Sequence, residues 1–286
     1  MQVHKVLRQH DIRPDRTLGQ NFLVDPVILT KIAQSAEIDR SDVALEIGAG
    51  TGALTTLLAR DAGHVIALEI DDRMIPILQS ELAAFDNTSV VHGDILALDP
   101  PAVVREHAPP QPASHLRYQV VGNLPYYITS AILRRILEAS PRPERIVVTV
   151  QREVAQRIVA QPGDMSVLAV SVQFYGDPEL LFSIKPGSFY PSPDVESAVL
   201  RIDVRPASPL PDDQIDAFFT VVRAGFSQRR KQLHNALSAG LGQRISKDEA
   251  AARLKSASVD PRRRAQSLSV QEWIDVTSAL RDVVDD

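Results

Sequence analysis

The chain predicts an α/β fold built on a mainly parallel sheet, followed by a small all-helical C-terminal domain. Three observations carry this. Val43–Thr55 reads V-A-L-E-I-G-A-G-T-G-A-L-T, a short strand, a glycine turn and the start of a helix. Short β-branched runs then alternate with helical spacings as far as Val204. Beyond the linker-like P-A-S-P-L-P at Pro206–Pro211 only helical periodicity remains. The expected domains are residues 1–205 and 212–286.

Taken in order, residues 1–20 carry Lys5, Arg8, Arg13 and Arg16 against Asp11 and Asp15, a mildly basic arm. Asp25-Pro26 supplies an N-cap and a first-turn proline for a helix over about 26–37. Val43, Leu45 and Ile47 alternate as a strand should, and Leu54, Leu57 and Leu58 share a helical face after the glycines. His64–Ile70 reads as the second parallel strand, and Asp71 and Asp72 cap a helix through Leu82. Ser89–His92 is a third strand ending at Gly93-Asp94. Pro100–Tyr118 holds five prolines and no periodicity, so a connector is expected.

Tyr118–Gly122 is the fourth strand and runs into Asn123-Leu124-Pro125-Tyr126. A helix over Ser130–Glu138, a strand over Arg145–Gln151 and a helix over Glu153–Ala160 follow. Val167–Phe174 and Val195–Val204 read as two more strands, with an antiparallel hairpin closing the sheet edge. Ile215, Phe218, Phe219, Val222 and Phe226 then open the helical domain with a 3.6-residue period.

Composition narrows the function classes. A hydrophobic content of 44% with 23% charged residues is that of a soluble globular chain. No apolar run approaches the ~18 residues of a membrane span, and the start lacks the apolar core of a secretory signal. Zero cysteines exclude disulfides, and seven scattered histidines offer no paired metal spacing, so no metal is expected. A cytoplasmic, monomeric protein is the expectation. The net charge is −5, but between Arg223 and Arg264 eleven Lys or Arg stand against three acids. Arg223, Arg229, Arg230 and Lys231 are therefore candidate phosphate contacts, with the N-terminal arm beside them. Arg262-Arg263-Arg264 reads equally well as an RNA contact or a solvated face.

Ligands of parallel α/β sheets sit outside the carboxyl ends of the strands. Gly48, Gly50 and Gly52 let the backbone approach a ligand there. Gly48-x-Gly50-x-x-Ala53 with Glu69 further on also satisfies a dinucleotide pattern. The lining is acidic, however, with Glu46, Glu69 and Asp94 at three strand ends. Residues 41–211 contain 20 acids against 13 Lys and Arg. Carboxylates repel a pyrophosphate but favour the sulfonium and ammonium of S-adenosyl-L-methionine. Glu69 is suited to the ribose hydroxyls and Asp94 to the adenine amino group of that cofactor.

Asn-Leu-Pro-Tyr carries the expected reaction. An adenine amino nitrogen is a poor nucleophile because its lone pair is delocalised into the ring. Acceptors at the Asn123 side chain and the Leu124 carbonyl would take both N–H hydrogens and favour a pyramidal nitrogen. Pro125 stiffens the turn and Tyr126 offers a ring for base stacking.

In this order and spacing the motifs resemble the KsgA/RsmA family of ribosomal RNA adenine dimethyltransferases, across about the whole chain. They are G-Q-N-F-L at Gly19–Leu23, E-I-G-A-G-T-G at Glu46–Gly52, E-I-D at Glu69–Asp71 and G-D at Gly93-Asp94. N-L-P-Y at Asn123–Tyr126, F-Y-P-S-P-D-V-E-S-A-V at Phe189–Val199 and F-S-Q-R-R-K-Q-L-H-N-A-L at Phe226–Leu237 complete the set. The resemblance implies a Rossmann-like S-adenosylmethionine-dependent methyltransferase fold. It implies cofactor contacts from Asn21, Leu23, Gly48, Glu69, Asp94 and Asn123, and a target adenine held between Tyr126 and Phe189. The implied substrate is a pair of adjacent adenines in the 3′-terminal hairpin of small-subunit rRNA, in the assembling small ribosomal subunit. The related erythromycin-resistance methylases of the large subunit, and an assembly factor without catalysis, are the alternatives.

Overall fold

The computed structural model describes residues 3–110, 116–242 and 244–284. Its elements run α1 Val3–Gln9, β1 Phe22–Leu23, α2 Pro26–Ser35, β2 Val43–Ile47, α3 Thr55–Asp61 and β3 His64–Glu69. Then come α4 Ile75–Leu82, β4 Thr88–His92, α5 Pro100–His107, β5 Gln119–Asn123, α6 Thr129–Leu137 and β6 Arg145–Gln151. Next are α7 Arg152–Ile158, α8 Val167–Tyr175, β7 Gly176–Ile184, β8 Phe189–Tyr190 and β9 Ser197–Val204. The last are α9 Asp212–Phe226, α10 Leu233–Gly240, α11 Lys247–Ser256, α12 Val270–Ala279 and α13 Arg281–Val284. Among the described residues no helix is long and apolar enough to cross a membrane.

Seven strands form one sheet in the order β4-β3-β2-β5-β6-β9-β7. β4, β3, β2, β5 and β6 are parallel, and β9 runs antiparallel to β6. The strand order reverses between β2 and β5, so the crevice at their carboxyl ends is the topological switch point. β2 and β3 are buried at every position, as strands covered on both faces must be. On one face Leu29 and Ile32 of α2 and Leu58 of α3 pack with Val121, Val147 and Val199.

The chain divides into two compact units. The sheet unit takes the residues up to Ala155 and Asp177–Pro206. The helical unit takes Gln156–Gly176 and the residues from Ala207 on. Gln156–Gly176, which a boundary after residue 205 leaves with the sheet, groups here with the later helices. It contains α8, a helix where a strand is expected. Its V-L-A-V-S-V-Q-F-Y run is rich in β-branched residues, but the Ser166 hydroxyl caps it by accepting from the Ala169 N–H at 3.2 Å. Phe174 of α8 stacks on Phe218 of α9 with ring centroids 4.5 Å apart, so helical packing overrides strand propensity. The next strand, β7, begins only at Gly176.

Two further expectations change. Pro100 and Pro101 open α5 at its first turn after Asp99, where a proline's missing N–H costs nothing, so part of the presumed connector is helix. Residues 111–115 of that connector lie outside the described residues. The N-terminal arm contains α1, whose Val3, Val6 and Leu7 are buried against Met74 and Ile77. Within the helical unit, Trp273 of α12 is fully buried against Phe226 of α9. Ser269 and Glu272 form a capping box at the start of α12.

Candidate active site

The parallel strands deliver the glycine turn, Glu69, Asp94 and Asn123 to one edge of the sheet. Gly48, Gly50 and Gly52 all have positive φ, at 73°, 56° and 81°, a conformation a side chain would strain. A Cβ at Gly50 would also come within 3.1 Å of the Phe22 ring. The Gly48 and Ala49 N–H groups both donate to the Leu68 carbonyl, at 2.9 and 3.2 Å, which anchors the turn on β3.

A pocket opens beside this turn. It is lined by Phe22, Leu23, Glu46, the residues Gly48–Thr51, Asn123 and Thr149, among others. Its apolar wall comes from β1 and α2, its polar groups from the ends of β2, β5 and β6. Glu46 is 2% exposed and one of its carboxylate oxygens has no hydrogen-bond partner. Burial pushes its carboxyl up to about 8, the Thr55 hydroxyl beside it pulls down, and the like charge of Glu69 raises it further.

Glu69 is also buried, and burial raises its carboxyl. One oxygen accepts from the Gly50 N–H at 2.7 Å, the other from the Ile70 and Asp71 N–H groups at 2.9 Å each. The carboxylate therefore braces the glycine turn, a duty the sequence did not reveal, and retains one free lone-pair direction on Oε2. Asp94 is partly exposed and accepts from the Leu96 N–H at 2.9 Å through one oxygen.

Asn123 ends β5. The preceding Gly122 permits this, because a Cβ there would lie 2.4 Å from the Ile47 carbonyl oxygen of neighbouring β2. The Asn123 amide donates to the Asn21 carbonyl at 2.8 Å, whereas its buried oxygen Oδ1 has no partner. The Leu124 N–H donates to the Thr149 carbonyl at 3.1 Å, while its own carbonyl accepts no hydrogen bond among the described residues. The Pro125 carbonyl takes the Thr129 hydroxyl at 3.1 Å and so joins the turn to α6. Two acceptors thus stand uncommitted in consecutive residues beside the pocket. A buried acceptor without a partner is costly, which marks the place of a missing donor.

The aromatic pair is less open. Tyr126 is partly buried, its hydroxyl hydrogen-bonded to the Ser197 hydroxyl. Burial raises that phenol, against the pull of this bond. Phe189 is paired opposite Leu23 across the short β1–β8 ladder and is only 4% exposed, inside the core. Tyr127 and Tyr190 are the exposed rings nearby in sequence. Arg223, Arg229, Arg230 and Lys231 are all exposed, and none of the last three forms an ion pair among the described residues. Arg263 differs. It is held by Glu272, Ser267 and its own loop, so the Arg262–Arg264 run is not uniformly solvated.

Thr149 and Phe22 line the pocket without having been singled out. Thr149, 0% exposed with an unpartnered hydroxyl, is the lone polar residue inside the apolar run I-V-V-T-V, which was its available signal. The residues fit a cationic nucleoside better than a dinucleotide. A buried carboxyl with an unpartnered oxygen lines the pocket, and no Lys or Arg is among its lining residues to meet a pyrophosphate.

Fold and site together define a methyltransferase of the S-adenosylmethionine-dependent, Rossmann-like class. The profile of the ribosomal RNA adenine dimethylase family matches residues 12–282, and the chain belongs to that family. Methyltransferases of this family take the methyl group from S-adenosylmethionine. The chain is 42% identical over 272 residues to the ribosomal RNA small subunit methyltransferase A of Dehalococcoides mccartyi, covering 95% of this chain and 90% of that one. It is also 42% identical over 279 residues to the protein of that name from Lactiplantibacillus plantarum, covering 96% and 93%. Among solved structures, a dimethyladenosine transferase from Plasmodium falciparum superposes with a TM-score of 0.78 at 25% identity, over 92% of this chain and 98% of that one. The 23S rRNA methyltransferase ErmE gives 0.70 at 28% identity, over 93% and 100%.

Proposed function

We propose that the chain dimethylates N6 of two adjacent adenines in the 3′-terminal hairpin of small-subunit rRNA, acting as a cytoplasmic monomer on the assembling small subunit. The observation that carries the reading is the pair of free acceptors at Asn123 Oδ1 and the Leu124 carbonyl. S-adenosylmethionine supplies an electrophilic methyl group on a sulfonium. Asn123 and Leu124 take the two amino hydrogens of the base, which turns the nitrogen lone pair out of the ring. Pro125 keeps both acceptors in place, and Tyr126 stacks on the base. Methyl transfer then needs alignment, and the proton released from nitrogen passes to water.

Glu46, Glu69 and Asp94, with Asn21, Leu23, Gly48, Gly50 and Gly52, are the residues proposed to hold the donor. Phe189 serves as the second stacking face once a base displaces what covers it. The exposed Arg223, Arg229, Arg230 and Lys231 contact phosphates. Relatives named for the small subunit, at 42% identity over nearly the whole chain, favour that substrate over the large-subunit one. Incubating unmethylated small and large subunits with labelled donor, then mapping modified nucleotides, tests this. Two adjacent dimethyladenines in the small subunit are expected; label confined to the large subunit would move the chain to the erythromycin-resistance reading.

A further inference from the structure

We propose that Gln20 is a positioning residue for methyl transfer: it holds the Gly19–Asn21 turn so that the Asn21 carbonyl keeps the Asn123 amide oxygen turned into the pocket. The inference rests on the acceptor role proposed for Asn123.

A primary amide presents an oxygen and an NH2 of nearly equal size, and half a turn about its last bond exchanges them. An NH2 facing the adenine amino group would oppose donor to donor. The orientation therefore needs a fixed outside partner. The Asn21 carbonyl, 2.8 Å from Asn123 Nδ2, is a pure acceptor and can only take the NH2 side. Where that carbonyl sits decides which face of the amide the substrate meets.

The turn bearing Asn21 is tied on both sides. After it, Leu23 is buried and paired with Phe189 of β8, so the chain beyond is set by the core. Before it, the attachment is polar. Gln20 donates through Nε2 to Asp71 Oδ2 at 2.7 Å and accepts the Asp15 N–H at 2.8 Å through Oε1. Asn21 closes the turn by donating to the Gly19 carbonyl at 3.2 Å, and the Tyr127 ring lies against Gly19. Asp71 is itself immobilised by the Arg73 guanidinium, 2.6 Å away, and donates its N–H to Glu69. An unbroken series of contacts thus links Glu69, Asp71, Gln20, Asn21 and Asn123, from the end of β3 to the end of β5. Only glutamine satisfies both neighbours of position 20. Glutamate would set a second carboxylate against Asp71, and leucine would fill the space without either bond.

The test compares full-length wild type, Gln20→Leu and Gln20→Glu in single-turnover methylation of unmethylated small subunits at saturating donor. We expect the rate to fall about 10- to 100-fold, the loss that misplacing a reacting group causes. Donor affinity by calorimetry should fall much less than the rate, because the glycine turn, Glu69 and Asp94 are untouched, and both variants should remain folded. The same substitutions in an Asn123→Asp background should cost nothing more, since a carboxylate has no N–H for the Asn21 carbonyl to orient. Wild-type rates for both Gln20 variants, or an equal proportional loss in the Asn123→Asp background, would overturn the inference. Failure of the underlying reading looks different: Asn123→Ala would then turn over at the wild-type rate, whatever Gln20 does.

Discussion

Asn123 Oδ1 is the atom on which the proposed chemistry turns, and substitutions there separate reaction from packing. Asp keeps an acceptor at the same place; Ala keeps none. Losing a preorganised polar contact made in the transition state costs about 2.7–4 kcal/mol, or 10²–10³ in rate. Asn123→Ala should be nearly inactive and Asn123→Asp slow but measurable in single-turnover assays, both folded and with donor binding falling much less than turnover. If Asn123 only packs the turn, the order reverses, because a buried Asp adds an uncompensated charge. Glu46 yields a pH prediction. Its carboxyl, at about 8 when folded, is largely neutral at pH 7, and a cationic ligand favours the ionised form. Donor affinity should rise with pH through about 8, and binding near neutrality should release a proton, measurable by calorimetry in buffers of different ionisation enthalpy. The sign for stability is opposite. A folded value above the ordinary 4.5 gives stability present below 4.5 and lost as pH rises through about 8. The strand-end acids and the Asn-Leu-Pro-Tyr turn were readable in the sequence because their residue types are chemically committed. The Asn21 carbonyl and the bracing of Gly50 by Glu69 were not, since backbone partners leave no mark on residue identity.

Elements were readable where period and punctuation agreed. β2, β3, β5 and β6 fall within a residue of their expected limits, and Asp25 caps α2 as its sequence announced. α8 resembles a strand in sequence because V-S-V-Q-F alternates apolar and polar residues, and its capping residue, Ser166, lies outside the run. Two element-scale predictions follow from exposure. Phe189 sits in the β1–β8 ladder, so Phe189→Ala should remove the proposed base platform, worth about 1–3 kcal/mol, and loosen Leu23. Tyr126→Phe keeps the ring and should retain most activity; a Phe189→Ala protein that is folded and fully active would remove that ring from the site. The exposed Arg229, Arg230 and Lys231 lie between α9 and α10. Replacing all three with Ala should flatten the salt dependence of RNA binding by roughly 0.7–0.9 per lost phosphate contact. An unaltered slope assigns them to a solvated face.

For the molecule as a whole, the one indole of the chain, Trp273, stands in the helical unit, while the proposed donor site belongs to the sheet unit. Intrinsic fluorescence therefore reports one unit and donor binding stabilises the other. The backbone passes between the units three times, once inside α7. Breaking them apart would sever a helix, so we expect one cooperative transition. Donor should then raise the midpoint of the fluorescence melt as much as that of the far-ultraviolet circular dichroism melt, by the amount mass action allows. A fluorescence midpoint that ignores donor while the dichroism midpoint climbs would show two independent melting blocks. In either case a buried indole far from water makes the helical unit visible without a label, and turns an ordinary heating curve into a readout of mechanical coupling along the chain.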